Sequence, residues 1–185
     1  MVAVFLAEGF EEIEALTPVD VLRRAGADVK TIAVGRSKTV KGAHGIPVVA
    51  DMTLSQLGED VKPEMLVLPG GMPGTLNLKK NKRLMSMVKE AAAEDRWVAA
   101  ICAAPSILGE LGLLAGRRAV CYPGFESSMR GATLAPKAKV VRDGNIITGK
   151  GMGVALTFAL VLTGVLFGPD KVDEISSSIL TDAQS

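Results

Sequence analysis

This chain of 185 residues has few of the side chains that metal centres, disulfide scaffolds and nucleic-acid surfaces require. Its single histidine excludes a zinc site built from several imidazoles, so we expect no metal centre. Its two cysteines, Cys102 and Cys121, are too few for a disulfide framework in a chain of this length. Acidic and basic residues number 20 and 21, so charge gives no reason to expect nucleic acid or an anionic membrane as a partner.

No apolar run is long enough to cross a membrane. The longest, residues 154–167, falls short of the ~20 residues that a spanning helix needs and is typical of a buried core helix. The apolar residues 1–6 lack a basic region and are followed closely by Glu8, so they predict a buried strand and not a signal peptide. We therefore expect a cytoplasmic protein that does not contact a membrane.

Strand-like and helix-like segments alternate along the chain. Short apolar runs predict strands at residues 2–7, 28–34, 65–68, 97–101, 118–121, 139–142 and 145–148, with a small hairpin over 40–49. Helical spacing and end signals predict helices at residues 13–24, 82–93 (with Asn81 as the N-cap) and 104–111, a long one ending at 167, and a short last one. Apolar strands that alternate with helices favour an α/β fold, in which a mostly parallel sheet has helices on both faces. The length favours one domain over residues 1–185.

Cys102 is the candidate nucleophile. It directly follows the strand 97–101, and Pro105 begins a helical segment just after it, so the segment resembles a nucleophile elbow. Ligands of open α/β sheets bind at the carboxyl ends of the strands, and a helix N-terminus at that place would lower the pKa of a thiol. The alternative is a small buried cysteine, which is the expectation for Cys121 within its strand-like run.

Two glycines, Gly70 and Gly71, follow the strand 65–68 at the same predicted edge of the sheet. Because they lack a Cβ atom, the backbone can approach a ligand closely and direct N–H groups at developing negative charge. They are candidates for half of an oxyanion site, although a plain tight turn also explains a Pro-Gly-Gly sequence.

Three acidic residues, Glu11, Glu12 and Glu14, begin the first helical segment. Acidic residues in a first turn are usually exposed and favoured by the helix dipole, which is what we expect of Glu11 and Glu12. Glu14 shares a helix face with the apolar Phe10 and Val21 and is therefore predicted to point inward. A buried carboxyl has a raised pKa and, when protonated, donates a hydrogen bond to a thiolate.

Five segments together resemble the ThiJ/PfpI superfamily, and most of all its DJ-one branch. They are AEGFEEIE at 7–14, PVDVLRRAG at 18–26, VLPGG at 67–71, AAICAAP at 99–105 and TGKGMG at 148–153. No single segment is specific, but the combination is, and it covers nearly the whole chain. The resemblance implies a flavodoxin-like sandwich, of the class I glutamine amidotransferase type, and a homodimer.

The resemblance also implies roles for the candidate residues. Cys102 is then the reactive, oxidisable nucleophile, and Glu14 is its protonated hydrogen-bond partner and acid–base group. The backbone at Gly70 and Gly71, with the N–H group of Ala103, is then the oxyanion site. No cofactor is implied.

Two departures from the family patterns matter for function. Protease-like and chaperone-like relatives have a histidine directly after the cysteine, where this chain has Ala103, so we do not expect peptidase activity. The human member of the branch has a histidine in the segment that here contains Tyr122, which either orients a substrate through its hydroxyl or is a half-buried strand residue.

His44 lies in the predicted hairpin, which in this family reaches the other subunit. It either approaches the partner's Cys102 or is a solvated loop residue.

Two functions would use the same residues. One is a cofactor-independent enzyme acting on 2-oxoaldehydes, either a glyoxalase-III-like conversion of methylglyoxal to lactate or the removal of early glycation adducts from proteins. The other is non-enzymatic, an oxidative-stress sensor or redox-regulated chaperone in which Cys102 is oxidised to a sulfinate. The sequence does not separate them.

Overall fold

A computed structural model describes residues 1–181 and contains eleven short strands and six α-helices in that range. The strands are β1 (Val2–Leu6), β2 (Val29–Ala33), β3 (Thr39–Lys41), β4 (Pro47–Val49), β5 (Met52–Thr53), β6 (Met65–Leu68), β7 (Trp97–Ile101), β8 (Arg118–Ala119), β9 (Thr133–Leu134), β10 (Val140–Asp143) and β11 (Ile146–Gly149). The helices are α1 (Glu12–Arg24), α2 (Gly74–Lys80), α3 (Lys82–Ala93), α4 (Pro105–Glu110), α5 (Ala155–Phe167) and α6 (Pro169–Ser178).

The central sheet has seven strands in the order β10-β11-β7-β6-β1-β2-β5. All neighbours in it are parallel except β10, which forms an antiparallel hairpin with β11. The carboxyl ends of β1, β6 and β7 therefore lie side by side at one edge. The predicted α/β fold with a mostly parallel sheet is confirmed.

The central strands are continuous apolar runs because helices cover both faces of the sheet. Every residue of β1 and β6 is buried. Successive side chains point to opposite faces, so Phe5 and Leu66 pack in one apolar cluster while Val4 and Val67 pack in the other. The first cluster includes residues of α3 and α4, and the second includes residues of α1 and α5.

Four elements differ from the sequence-based expectation. Helix α2 was not predicted, because its single large buried apolar residue, Leu78, gives no helical period. The two-residue strands β5 and β9 were also not predicted. The expected strand 118–121 is shortened to β8, which pairs with β9 outside the central sheet. It ends early because the N–H of Val120 donates to Oγ1 of Thr148 at 3.0 Å and not to a neighbouring strand.

Helix α5 is apolar around most of its circumference, yet only one face is buried. Phe158, Ala159 and Leu162 lie in the core, whereas Leu156 and Phe167 are exposed. The expected core helix is therefore present, and it is buried on one face only. In residues 1–181 no helix has the combined length and apolar character that crossing a membrane would need.

Candidate active site

The structure places Cys102 at the carboxyl end of β7, in a backbone conformation that side chains rarely adopt. Its φ is +65°, in the left-handed region. Its N–H donates to the carbonyl of Gly149 at 2.9 Å, and its own carbonyl accepts from the N–H of Tyr122 at 2.8 Å. These two hydrogen bonds hold the strained residue on both sides, so the thiol projects from a sharp turn between strand and helix.

Glu14 lies in the first turn of α1 and points inward, as the sequence predicted. Its side chain is fully buried beside the thiol of Cys102. Its Oε2 accepts from the N–H of Gly70 at 2.9 Å. Its Oε1 is buried and has no hydrogen-bond partner among residues 1–181. The carboxyl therefore lies beside the sulfur with Oε2 held by a hydrogen bond and Oε1 free to form one.

Burial changes the acidity of both groups. It raises the pKa of Glu14 to about 7, although hydrogen bonds from Cys102 and from the N–H of Gly70 act in the opposite direction. Burial, and after it the negative charge of Glu14, also raises the pKa of the Cys102 thiol to about 12. The predicted lowering of the thiol pKa by a helix N-terminus is therefore wrong. Helix α4 has only six residues, and desolvation and the carboxylate outweigh the nearby N–H groups.

The two groups titrate as a coupled pair. When Glu14 takes up a proton, the negative charge beside the sulfur disappears and the carboxyl becomes a hydrogen-bond donor to it. Transfer of the thiol proton to Glu14 therefore costs less free energy than its loss to water. The pair can expose a thiolate without releasing a proton from the site.

The two glycines have different roles. Gly70 uses its N–H to hold Glu14, and a Cβ at this position would lie 2.7 Å from both the Cβ of Cys102 and Oε2 of Glu14. Gly71 has a φ of +87°, and its N–H, with that of Ala103, lies near enough to the sulfur to lower the pKa of the thiol. The structure thus brings the N–H groups of Gly71 and Ala103 to the sulfur, whereas the N–H of Gly70 is occupied by the carboxylate.

Tyr122 contacts the site through its backbone N–H, which donates to the carbonyl of Cys102. Its side chain is 50% exposed and its ring contacts the position of Gly151. It lies outside β8, so the expectation of a half-buried strand residue is wrong. Cys121 is buried, as expected, but it also lies beyond the end of the strand.

His44 is exposed and contacts Glu12, not Cys102, of its own chain. Its Nδ1 lies 3.0 Å from Oε2 of Glu12 and 3.3 Å from Oε2 of Glu11. Oε1 of Glu12 accepts from the N–H groups of His44 and Ile46 at 2.9 and 3.4 Å. Glu12 is buried, so the expectation of an exposed first-turn residue is wrong, because its carboxylate binds the loop between β3 and β4.

These contacts change the pKa of both partners. Burial alone would raise the pKa of Glu12, but hydrogen bonds from His44 and from backbone N–H groups lower it by more, so the pKa is lowered. The Glu12 carboxylate, with the charge of Glu11, raises the pKa of His44. Within residues 1–181, a cluster of possible metal ligands is formed by Glu11, Glu12 and His44. Their ligand atoms all lie within 4.8 Å of one another. Their mutual hydrogen bonds explain the cluster without an ion.

Residues 1–164 match the model of the DJ-1/PfpI family. The chain belongs to this family. Protein DJ-1 homolog A of Arabidopsis thaliana is 42% identical over 177 residues, which are 95% of this chain and 45% of that protein. A deglycase from Pyrococcus horikoshii is 33% identical over 145 residues, which are 78% of this chain and 86% of that protein. The chain spans less than half the length of the Arabidopsis homologues A and B that it matches.

Solved structures of DJ-1 proteins share the fold. A DJ-1 superfamily protein from Salmonella typhimurium has a TM-score of 0.91 and 41% identity, covering 97% of both chains. Toxoplasma gondii DJ-1, solved in an oxidised form, has a TM-score of 0.90 and 34% identity, covering 98% of both chains. The expected flavodoxin-like sandwich of the DJ-1/PfpI family is confirmed.

The raised pKa of Glu14 makes the stability of this DJ-1/PfpI protein depend on pH. The folded state holds the proton more tightly than the unfolded chain, in which the carboxyl has its ordinary pKa of 4.5. This contribution is complete below pH 4.5 and is lost as pH rises through about 7. Between roughly pH 5 and 8 the wild type should therefore lose about 2 kcal/mol of unfolding free energy relative to Glu14→Gln.

Urea unfolding of both proteins at several pH values measures this difference. Glu59→Gln is the matched control, because Glu59 is exposed and its loss should leave the pH slope of the wild type unchanged. Parallel pH profiles for the wild type and Glu14→Gln would show that Glu14 does not carry a raised pKa.

The two thiols should differ in reactivity. Cys102 is partly exposed and can pass its proton to Glu14. Cys121 is buried, and burial followed by the charge of Glu126 raises its pKa to about 11. At pH 7 iodoacetamide should therefore label Cys102 at least about tenfold faster, as followed by peptide mass spectrometry. The same measurement in denaturant should equalise the rates, and equal rates in the folded protein would contradict the assignment.

Proposed function

We propose that this protein is a cofactor-independent enzyme that acts on 2-oxoaldehydes, converting methylglyoxal to lactate or removing early glycation adducts of such aldehydes. The observation that carries the proposal is the buried pair of Glu14 and Cys102, which lies next to the N–H groups of Gly71 and Ala103. The similarity to the Pyrococcus deglycase supports the same class of substrate.

The first step uses the proton transfer within the pair. The sulfur of Cys102 forms a bond to the aldehyde carbon, and the π bond of the carbonyl breaks. The thiol proton goes to Glu14, and the negative charge moves to the aldehyde oxygen. The N–H groups of Gly71 and Ala103 stabilise that oxygen, which then takes the proton back from Glu14 to give a hemithioacetal and a Glu14 carboxylate.

The second step moves a proton between the two carbons. The carboxylate of Glu14 removes the proton from the former aldehyde carbon, and the electron pair moves to the ketone oxygen, which takes up the proton of the hemithioacetal hydroxyl. Glu14 then returns its proton to the neighbouring carbon as the carbonyl of the thioester forms. The aldehyde carbon is oxidised and the ketone carbon is reduced, so the product is a 2-hydroxyacyl thioester and no external oxidant is needed. Water then hydrolyses the thioester, which releases the 2-hydroxy acid and restores the thiol.

Peptidase activity does not fit this site. A cysteine peptidase needs a histidine beside the nucleophile to act as its base. The only histidine of the sequence, His44, contacts Glu11 and Glu12 within its own chain, and the residue after Cys102 is an alanine. The only ionisable side chain placed to exchange a proton with Cys102 within residues 1–181 is Glu14.

Turnover of methylglyoxal tests the mechanism. Cys102→Ser should abolish it, and Glu14→Gln should lower it by ~10² or more, the usual scale for loss of an acid–base group. Glu14→Gln should nevertheless leave Cys102 open to alkylation, because the amide is uncharged and still donates a hydrogen bond. Cys121→Ser is the matched control and should keep full turnover. Full turnover by Glu14→Gln would overturn the proton transfer through Glu14.

A second candidate function is oxidation sensing, and the unpartnered Oε1 of Glu14 favours it. Two equivalents of peroxide would each transfer one oxygen to the sulfur of Cys102 and leave as water, giving a sulfinate. A protonated Oε1 would donate a hydrogen bond to one sulfinate oxygen. A stable sulfinate in a wild-type protein that does not turn over methylglyoxal would favour sensing over catalysis.

We also propose that the chain forms a homodimer through α1 and the β3–β4 hairpin. Ile13 on α1 and Ile46 and Val49 at the hairpin are 49%, 53% and 71% exposed. Glu12 ties these two elements together through His44 and Ile46. An apolar surface shared by both elements is suited to a two-fold contact, in which each patch meets its own copy.

A charge placed in this surface should dissociate the dimer. Ile46→Glu would bury a carboxylate in the interface, so it should weaken self-association by at least about tenfold relative to wild type. Sedimentation velocity at micromolar concentration measures the change. Val61→Glu is the matched control, because Val61 is 41% exposed but lies on neither element. A monomeric wild type at this concentration would contradict the dimer.

A further inference from the structure

A cavity lies at the same edge of the sheet as Cys102 but contains none of the residues of that site. Its volume is about 530 Å³, and its walls come from the ends of β1 and β2, the loop after β2, β3 and α2. This volume is in the range of cavities that bind small organic molecules. The carboxyl ends of parallel strands are also the usual place for such ligands in open α/β sheets.

The charged groups of the cavity are mostly cationic. Arg36 and Lys80 line it, and within residues 1–181 neither side chain forms an ion pair or hydrogen bond. The one acidic residue in the lining is Glu8, whose Oε2 accepts from the N–H of Lys41 at 3.2 Å. The cavity therefore presents two unpaired positive charges against one carboxylate that already has a donor.

Several hydrogen-bond donors of the lining have no acceptor within residues 1–181. The Oγ of Ser37 accepts from the N–H of Thr39 at 3.0 Å, so its own hydroxyl proton is free to donate. In the described part of the chain the hydroxyl of Thr39 has no partner, and the N–H groups of residues 35–37 donate to no acceptor. An anion would satisfy these donors together with the two cations.

Two asparagines keep the cavity in shape. The side-chain amide of Asn77 donates to the carbonyl of Glu8 at 2.9 Å, and that of Asn81 donates to the carbonyl of Val34 at 3.3 Å. They tie α2 and the start of α3 to the segments after β1 and β2. The cavity is therefore formed without a ligand, and a ligand would not have to order its walls.

The inner wall of the cavity is apolar. Val34 lines it and is partly exposed, and behind it lie Leu6, Ala7 and Val40, which are almost fully buried. A ligand that fits must therefore combine an anionic group for the outer donors with an uncharged body for the inner wall. A phosphate group has three terminal oxygens, which use more of the free donors than the two oxygens of a carboxylate.

We propose that this cavity binds a small organic phosphate monoester. The phosphate lies against Arg36, Lys80 and the 35–37 loop, and the organic body lies on Val34. The site is separate from Cys102, so binding does not depend on the thiol or on the function proposed for it.

Isothermal titration with three probes tests the proposal: adenosine monophosphate, adenosine and inorganic phosphate. Adenosine monophosphate should bind at least about tenfold more tightly than either fragment, and its affinity should fall as salt is raised. The double variant Arg36→Gln with Lys80→Gln should weaken its binding by at least about tenfold. Both side chains are exposed, so the fold should be unaffected.

Two further variants separate this site from other effects. Lys137→Gln removes an exposed cation outside the cavity and should leave binding of adenosine monophosphate unchanged. Cys102→Ser should also leave it unchanged, so a failure of the proposed enzyme activity would not affect the result. No saturable binding of adenosine monophosphate, equal affinity for adenosine, or equal binding by the double variant and wild type would each overturn the proposal.

Discussion

The buried contact between the Glu14 carboxyl and the Cys102 thiol is the constraint on which the site depends. It requires α1 to come close to the ends of β6 and β7, and no side chain fits between them. Gly70 is the consequence, because a Cβ there would lie 2.7 Å from both partners. The Pro-Gly-Gly sequence after β6 is thus explained by a close approach and by the N–H that holds the carboxylate.

This contact lowers the stability of the folded protein, and the same features set the chemistry of a catalytic or oxidisable site. Burial raises the pKa of both groups, and Cys102 adopts a positive φ that its neighbours must maintain. The hydrogen bonds from Cys102 to Gly149 and from Tyr122 to Cys102 supply that support from β11 and from the segment after β8. Strain and desolvation at one residue are therefore compensated by elements distant in the sequence.

Helix α1 connects the site to the surface proposed for dimerisation. Glu12 and Glu14 are two positions apart, so their side chains leave the helix in nearly opposite directions. Glu14 reaches the thiol, and Glu12 binds the loop that carries His44. Any partner that fixes the β3–β4 hairpin also fixes the first turn of α1, and with it the position of the Glu14 carboxyl.

The sequence by itself determined the central strands, the helices on both faces and the candidates Cys102, Glu14 and Gly71, because apolar runs, helical spacing and turn residues are local properties. Only the tertiary structure decided the direction of the Cys102 pKa, since desolvation and the Glu14 charge act on the sulfur through space. The same holds for the buried Glu12, whose partners belong to a hairpin far along the chain. Acidity and hydrogen bonding depend on which distant residues meet, and a local pattern does not contain that information.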